Sequence, residues 1–174
     1  MKAFRCLLCG DVYMGDFPPS HCPYCGAPAE HIAGIHEWRP PVLSELTEIS
    51  RKNLEKSLQL EVNNSTFYRN VGNSDIDHEW QGIFKYLAKI EAEHAATIRK
   101  ALERNDLPDA SGDVSAKENL KADLDEVLLR ETRAGDFYKE FLAQATEERV
   151  KQIFGVLIEI EAEHLNLAKS SNNK

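Results

Sequence analysis

The chain of 174 residues has no run approaching the ~20 consecutive apolar residues of a membrane span, and it has no excess of positive charge. Lys and Arg number 21 against 29 Asp and Glu, a formal net charge of -8, so the basic footprint that grips nucleic acids and anionic lipid surfaces is missing. Neither nucleic acid nor membrane is an expected partner. There is no glycine-rich phosphate-binding fingerprint, hence no nucleotide site of the chain's own. The first ten residues reach Cys6 and Cys9 without the apolar run of a secretion signal, and the expectation is a cytoplasmic protein with reduced thiols. Proline is almost absent from most of the chain. Six of seven (18, 19, 23, 28, 40 and 41) fall in the first 41 residues, and Pro108 is the other one. The chain therefore divides near Trp38 to Pro41, into a small module over 1–38 and a larger one over 39–174.

Beyond that boundary Leu, Glu, Lys and Ala dominate, with apolar residues three and four apart, the period of amphipathic helices. Four long helices are expected. The first runs from Val42 to Val71, ended by Gly72 and Asn73. The second starts near Ser74, with Asp75 and Asp77 in its first turn. The segment Asn105 to Val114 breaks the pattern, a capping box of Ser115 and Glu118 opens the third helix, and the fourth begins near Thr146. Such helix content points to an all-α bundle.

A repeat fixes its register. Shifting the chain by 70 positions places Leu54, Leu58, Glu61, Phe67, Tyr68, Ile83, Phe84, Leu87, Ile90, Glu91, Ala92, Glu93 and His94 on identical residues, ending with Glu161, Ala162, Glu163 and His164. One helical hairpin is used twice, and two copies face to face bury both apolar stripes around a pseudo-twofold axis.

Polar residues interrupt those stripes. The inward series of the first helix is Leu54, Leu58, Glu61, Ser65 and Tyr68, and that of the third is Leu120, Leu124, Leu128, Glu131, Gly135, Tyr138 and Leu142. On the second and fourth, Leu87, Glu91, His94, Ile98 and Leu157, Glu161, His164, Ala168 each carry a Glu-x-x-His pair whose members point together. Four carboxylates and two imidazoles thus converge at mid-bundle. Ionised glutamate is almost never buried unless paired or bound to metal, and two divalent cations balance four carboxylates. Mixed carboxylate and imidazole ligation suits iron, manganese or zinc, with iron preferred where a redox partner is in view. Glu93 and Glu163 are expected on the outside or at an interface. His21, His31, His36 and His78 match no ligand pattern and read as surface residues.

The small module holds Cys6-Leu-Leu-Cys9-Gly10 and Cys22-Pro-Tyr-Cys25-Gly26, two knuckles with twelve residues between them. That spacing closes four thiolates around one ion, iron or zinc, and about 38 residues bury too little apolar surface to fold without it.

Taken together these motifs resemble the rubrerythrins, with the module order reversed. Arg5-Cys6-Leu-Leu-Cys9-Gly10-Asp-Val12-Tyr13, then Gly15, Pro18-Pro19 and Cys22-Pro23-Tyr-Cys25-Gly26-Ala-Pro28, are similar to that family's rubredoxin-like domain. Glu61 and Glu131 match its single-glutamate helices, Glu91 with His94 and Glu161 with His164 its E-x-x-H helices, and Tyr68 and Tyr138 its flanking tyrosines. The resemblance implies an all-α, ferritin-like four-helix bundle with a small N-terminal rubredoxin-like four-cysteine domain. It implies a non-haem di-iron centre and a rubredoxin-type iron on Cys6, Cys9, Cys22 and Cys25, with zinc the alternative there. The implied activity is reduction of hydrogen peroxide to water, with the four glutamates, two histidines and two tyrosines as the catalytic set. Rubredoxin or an NAD(P)H-dependent reductase is the implied electron donor and a homodimer the implied assembly; separately, the break of about ten residues between the second and third helices just spans one bundle length at ~3.3 Å each and fits a domain-swapped dimer equally. Oxygen in place of peroxide, or a ferroxidase-like iron-binding role with a structural zinc knuckle, are the competing readings. The family's additional glutamate is replaced by Ala134, with Asn64 as its repeat mate, which implies a symmetric centre with His94 as a permanent ligand.

Overall fold

The computed structural model describes residues 1–42 and 44–172, without the side chain of Asn172. Three short strands, β1 (Lys2–Cys6), β2 (Val12–Gly15) and β3 (Ile32–Gly34), form an antiparallel sheet of order β2-β1-β3. None of them announces itself in the sequence. Each CxxCG loop ends on a glycine in the left-handed region, Gly10 at φ +86 and Gly26 at φ +77, where a side chain would be strained. Their N–H groups donate to the carbonyls of Cys6 and Cys22 at 3.1 and 2.9 Å, which curls each loop around its sulfurs.

Four helices follow: α1 (Glu48–Gly72), α2 (His78–Ala101), α3 (Leu120–Gln144) and α4 (Glu148–Asn172). Hairpins α1–α2 and α3–α4 pack against each other, α1 antiparallel to α3, as the pairs Asn53 with Gln144 and Asn64 with Arg130 require. Residues 102–119 form one long crossover laid along α1, tied by Gln59 to the Asp109 carbonyl, by the Ser111 N–H to Asn63 and by Asn70 to the Val114 carbonyl. A bundle with a single long crossover is the ferritin-like arrangement.

The helix starts differ from the sequence reading. The first helix begins at Glu48 rather than Val42, because Thr47 caps it by accepting from the Ser50 N–H while the Thr47 N–H is drawn to Glu147. Leu43, inside the expected helix, lies outside the described residues. Asp77 is the cap of α2, accepting from Glu79, instead of a first-turn residue. The Ser115–Glu118 box does not form. The buried Asp123 carboxylate captures the Lys117 N–H and holds that segment in the crossover, so Asn119 caps α3 instead by accepting from Ala122. On α3 the buried face also differs: Val127, Ala134 and Phe141 are buried, while Leu128, Gly135 and Leu142 are half-buried. Leu124, Glu131 and Tyr138 stay buried with them, so the stripe is widened on that side and does not include the outer edge residues. The inward series of α1, α2 and α4 are buried throughout.

Cys6, Leu8, Cys25 and Ala27 share one continuous core with Leu54, Leu58, Ile98, Ile153 and Ile160. The two cysteine loops are thus packed on the bundle, against α2 and α4. Among the described residues no helix is long and apolar enough to cross a membrane.

Candidate metal centres

The four cysteines are free and buried, with Cys6 and Cys25 sulfurs 3.6 Å apart and Cys9 and Cys22 sulfurs 3.9 Å apart. A disulfide needs roughly 2.05 Å, whereas a tetrahedron with metal–sulfur bonds near ~2.3 Å has edges of about 3.8 Å. The spacing fits the tetrahedron. Backbone N–H groups of Leu8 and Asp11 approach the sulfurs of Cys6 and Cys9 at 3.4 Å, as befits thiolates. With protons in place of a cation, hydrogen bonds to Cys22 pull the Cys6 thiol far down and push Cys9 and Cys25 far up. One cation removes that conflict by taking all four as thiolates.

At mid-bundle, two sets of donor atoms lie within 4.8 Å of one another: Glu61, Glu91, His94 and Glu161 in one, Glu91, Glu131, Glu161 and His164 in the other. Glu91 and Glu161 belong to both. Glu91 turns Oε2 to His94 Nδ1 at 3.0 Å and Oε1 to His164 Nδ1 at 3.1 Å. Glu161 turns Oε1 to His94 at 3.9 Å and Oε2 to His164 at 3.4 Å. Each therefore offers one oxygen to each half, the geometry of a carboxylate shared by two cations, while Glu61 and Glu131 close the two ends. The helical spacing accounts for this, since α2 and α4 each present a Glu and a His one turn apart and α1 and α3 each present one glutamate at the same level.

The electrostatics of this cage demand an occupant. Glu61 Oε2, Glu91 Oε1, Glu131 Oε2, both oxygens of Glu161 and His164 Nδ1 are buried without hydrogen-bond partners. Burial, then repulsion from Glu91, pushes Glu61 well up, and burial with Glu161 does the same to Glu131. Burial works against charge on the histidines too, yet the glutamates win: His94 is raised well above its ordinary value and His164 is pushed up to about 10. Left alone, the site traps protons. Buried polar atoms normally find partners, and two divalent cations would satisfy all of these and balance four carboxylates. The residues present fit such a pair.

Two tyrosines cross the interface between the hairpins. The Tyr68 hydroxyl donates to Glu131 and the Tyr138 hydroxyl donates to Glu61, so each end glutamate is held by the opposite helix. Burial and the Glu61 charge keep the Tyr138 phenol protonated, and therefore a donor.

Sequence reasoning missed the joint between the centres. His94 presents Nδ1 to the carboxylates and Nε2 to the backbone carbonyl of Cys25, 2.8 Å away. Arg149 on α4 donates to the carbonyls of Leu7 and Leu8, and Tyr86 donates to that of Pro23. His21 and His31, read as plain surface residues, pair with Glu163 and Glu159 across the same joint. No residue-type pattern marks contacts made to backbone carbonyls. Glu163 is thus an interface charge, while half-buried Glu93 lies beside Cys9 and Asp11.

Residues 4–32 match the family model described as rubrerythrin, rubredoxin-like domain, and residues 52–171 match the model described as rubrerythrin. No curated protein matches the chain. With two thirds of its length covered by the second model, and with both donor sets in place, the chain belongs to the rubrerythrin family.

Proposed function

We propose that the protein is a non-haem di-iron peroxidase that reduces hydrogen peroxide to water, with electrons relayed through an iron on Cys6, Cys9, Cys22 and Cys25. The observation that carries this reading is the bond between His94 and Cys25, because it joins a one-electron site to a two-metal site inside one chain. From Cys25 Sγ the route runs through Cβ, Cα and the carbonyl, across one 2.8 Å hydrogen bond, and through the imidazole to Nδ1.

A bound iron pair would supply two electrons together, matching the balance of peroxide, two electrons and two protons to two waters. The residues set the conditions for that chemistry. Glu91 and Glu161 hold the two halves at a fixed separation, and Glu61 with His94 and Glu131 with His164 complete them. Tyr68 and Tyr138 aim their phenol hydroxyls at the end carboxylates. Apolar packing by Leu54, Leu58, Phe67, Ile153 and Phe154 excludes water and strengthens each charge interaction. The electron donor, a small rubredoxin-like carrier or a nicotinamide-dependent reductase, would act at the four-cysteine module, as that module reaches the surface and the bundle core does not.

The test is stopped-flow reoxidation of the anaerobically reduced protein. Reoxidation by stoichiometric hydrogen peroxide at least tenfold faster than by air-saturated buffer supports the peroxidase. Equal rates overturn it in favour of a di-iron oxidase.

A further inference from the structure

On the cage side the repeat makes His94 and His164 equivalent. His94 Nδ1 has Glu91 at 3.0 Å, Glu61 at 3.8 Å and Glu161 at 3.9 Å, and His164 Nδ1 has Glu91 at 3.1 Å, Glu161 at 3.4 Å and Glu131 at 3.9 Å. On the outer side the two part. His94 is fully buried, and its Nε2 meets the carbonyl of Cys25 at 2.8 Å. A carbonyl oxygen only accepts, so Nε2 carries a proton and Nδ1 is the nitrogen presented to a cation. His164 is 7% exposed, and its outer ring edge lines a groove between α2 and α4. Among the described residues no hydrogen-bond partner reaches its Nε2, so nothing in the protein fixes which nitrogen it presents.

The carbonyl that fixes His94 belongs to a ligand of the other centre. Cys25 Sγ is one of the four clustered sulfurs, 3.6 Å from Cys6 Sγ, and only Cβ and Cα separate it from that carbonyl. The loop is closed by the Gly26 N–H on the Cys22 carbonyl at 2.9 Å and by the Cys22 N–H on the Ala27 carbonyl at 2.8 Å. Both bonds hold only while the small module is folded, and a module of this size draws its folding free energy from its ion. Without an ion on the sulfurs the Cys25 carbonyl loses its place over His94, and the His94 imidazole becomes as unconstrained as that of His164.

Resting on the two-cation reading of the cage proposed above, we infer that the four-cysteine centre governs the loading of one half of the cage. An ion on Cys6, Cys9, Cys22 and Cys25 raises the affinity of the half formed by Glu61 and His94 for a divalent cation, and leaves the half formed by Glu131 and His164 nearly unchanged. The outer partner of a ligating histidine typically accounts for about 10–100-fold in metal affinity, which sets the size of the effect. Linkage makes it reciprocal: a cation on His94 tightens the four-thiolate site by the same factor. A chain that lacks its one-electron relay therefore holds the His94 half of its cage weakly, and the two-electron site is completed only once the means of recharging it is in place.

The test uses manganese(II), which suits carboxylate and imidazole donors and competes poorly for thiolates, with one equivalent of zinc to fill the four sulfurs. His164→Ala leaves only the His94 half complete, and His94→Ala only the His164 half. Manganese affinity is measured on each full-length variant, with thiols kept reduced, from the electron paramagnetic resonance of the unbound ion, with and without the zinc. The expected result is a zinc-dependent gain of about tenfold or more in His164→Ala and of less than about threefold in His94→Ala. Equal gains in the two variants, or no gain in either, overturn the inference. The wild-type chain gives the same answer without any variant: removal of the zinc by a zinc-selective chelator should become about tenfold or more harder once manganese fills the cage, and a zinc affinity indifferent to manganese overturns the inference as well. A zinc-loaded wild-type chain that takes up no manganese overturns the two-cation reading itself, an outcome distinct from uptake that ignores the zinc.

Discussion

The ring of His94 lies between two centres, with Nε2 at 2.8 Å from the carbonyl of Cys25 and Nδ1 at 3.0 Å from the carboxylate of Glu91. A single residue thus reports the docking of the small module to the cage. Its repeat mate His164 has no such contact, so the two halves of a nearly symmetric site differ in what touches them from outside.

Docking depends on Arg149, whose guanidinium meets the carbonyls of Leu7 and Leu8 from α4. Arg149→Ala strands two carbonyls beside the Cys6 loop, and the expected loss is about 1–3 kcal/mol of unfolding free energy. On the proposed relay, a looser joint is also expected to slow electron transfer between the centres. Stopped-flow bleaching and recovery of the ferric tetrathiolate colour reads this directly, and an unchanged rate contradicts the route through Cys25 and His94.

The tyrosines supply a symmetric pair of tests. Tyr68→Phe removes the donor to Glu131, and Tyr138→Phe removes the donor to Glu61. Partners that orient ligands typically account for 10–100-fold in metal affinity, and each variant is expected to lose that much in competition against a chelator. Because the repeat makes the two positions equivalent, the losses should agree within a few fold. A large effect from one and none from the other argues against a shared centre.

Metal loading should release protons. In the metal-free cage His94 and His164 are both raised, the latter to about 10, and Glu61 and Glu131 are raised by burial and by their neighbours. A cation must displace the protons that these raised groups retain, so apparent affinity rises with pH, by about a decade per unit for each proton released. Titrating metal into weakly buffered protein with a pH indicator measures the count. Loading without acidification contradicts the protonated cage.

Glu147 was silent in the sequence and is prominent in the structure. Its carboxylate accepts from the Thr47 N–H and the Ser50 hydroxyl, each at 2.6 Å, and so ties the start of α1 to the start of α4. Burial pushes its pKa up, but the Ser50 and Thr47 donors outweigh this and hold it at about 2 against an ordinary 4.5. A depressed carboxylate stabilises the fold above its unfolded pKa, and the contribution fades as pH drops from 4.5 toward 2. Glu147→Gln is expected to lose about 1–3 kcal/mol at neutral pH by urea denaturation, with the gap from wild type closing in acid. A gap independent of pH contradicts the ionised cap.

The cage was legible in the sequence for a physical reason. Charged residues at helical spacing inside an apolar stripe, repeated 70 positions later, have few ways to be stable, and Glu61, Glu91, His94 and their mates do converge. The four sulfurs were legible because each CxxCG loop turns its two thiols to one side by local backbone geometry, and two such loops meet sulfur to sulfur around the place of one cation. The joint between modules was not. It is made by Arg149, His21 and His31, residue types that ordinarily face water, acting on carbonyls and on surface glutamates. The start of α3 was hidden similarly, since the burial of Asp123 that pulls Lys117 out of the helix is a tertiary effect. Short strands β1 to β3 carry too few residues for a period to emerge.

The central claim is that one chain holds a four-thiolate iron and a two-iron cage in electronic contact. Metal analysis of protein purified without air, combined with its visible spectrum before and after one equivalent of hydrogen peroxide, tests this most directly. The account expects about three irons per chain, and a red ferric tetrathiolate band that returns when the reduced protein meets peroxide. A colourless protein holding one zinc, or a cage that stays empty when saturated with ferrous iron, contradicts it.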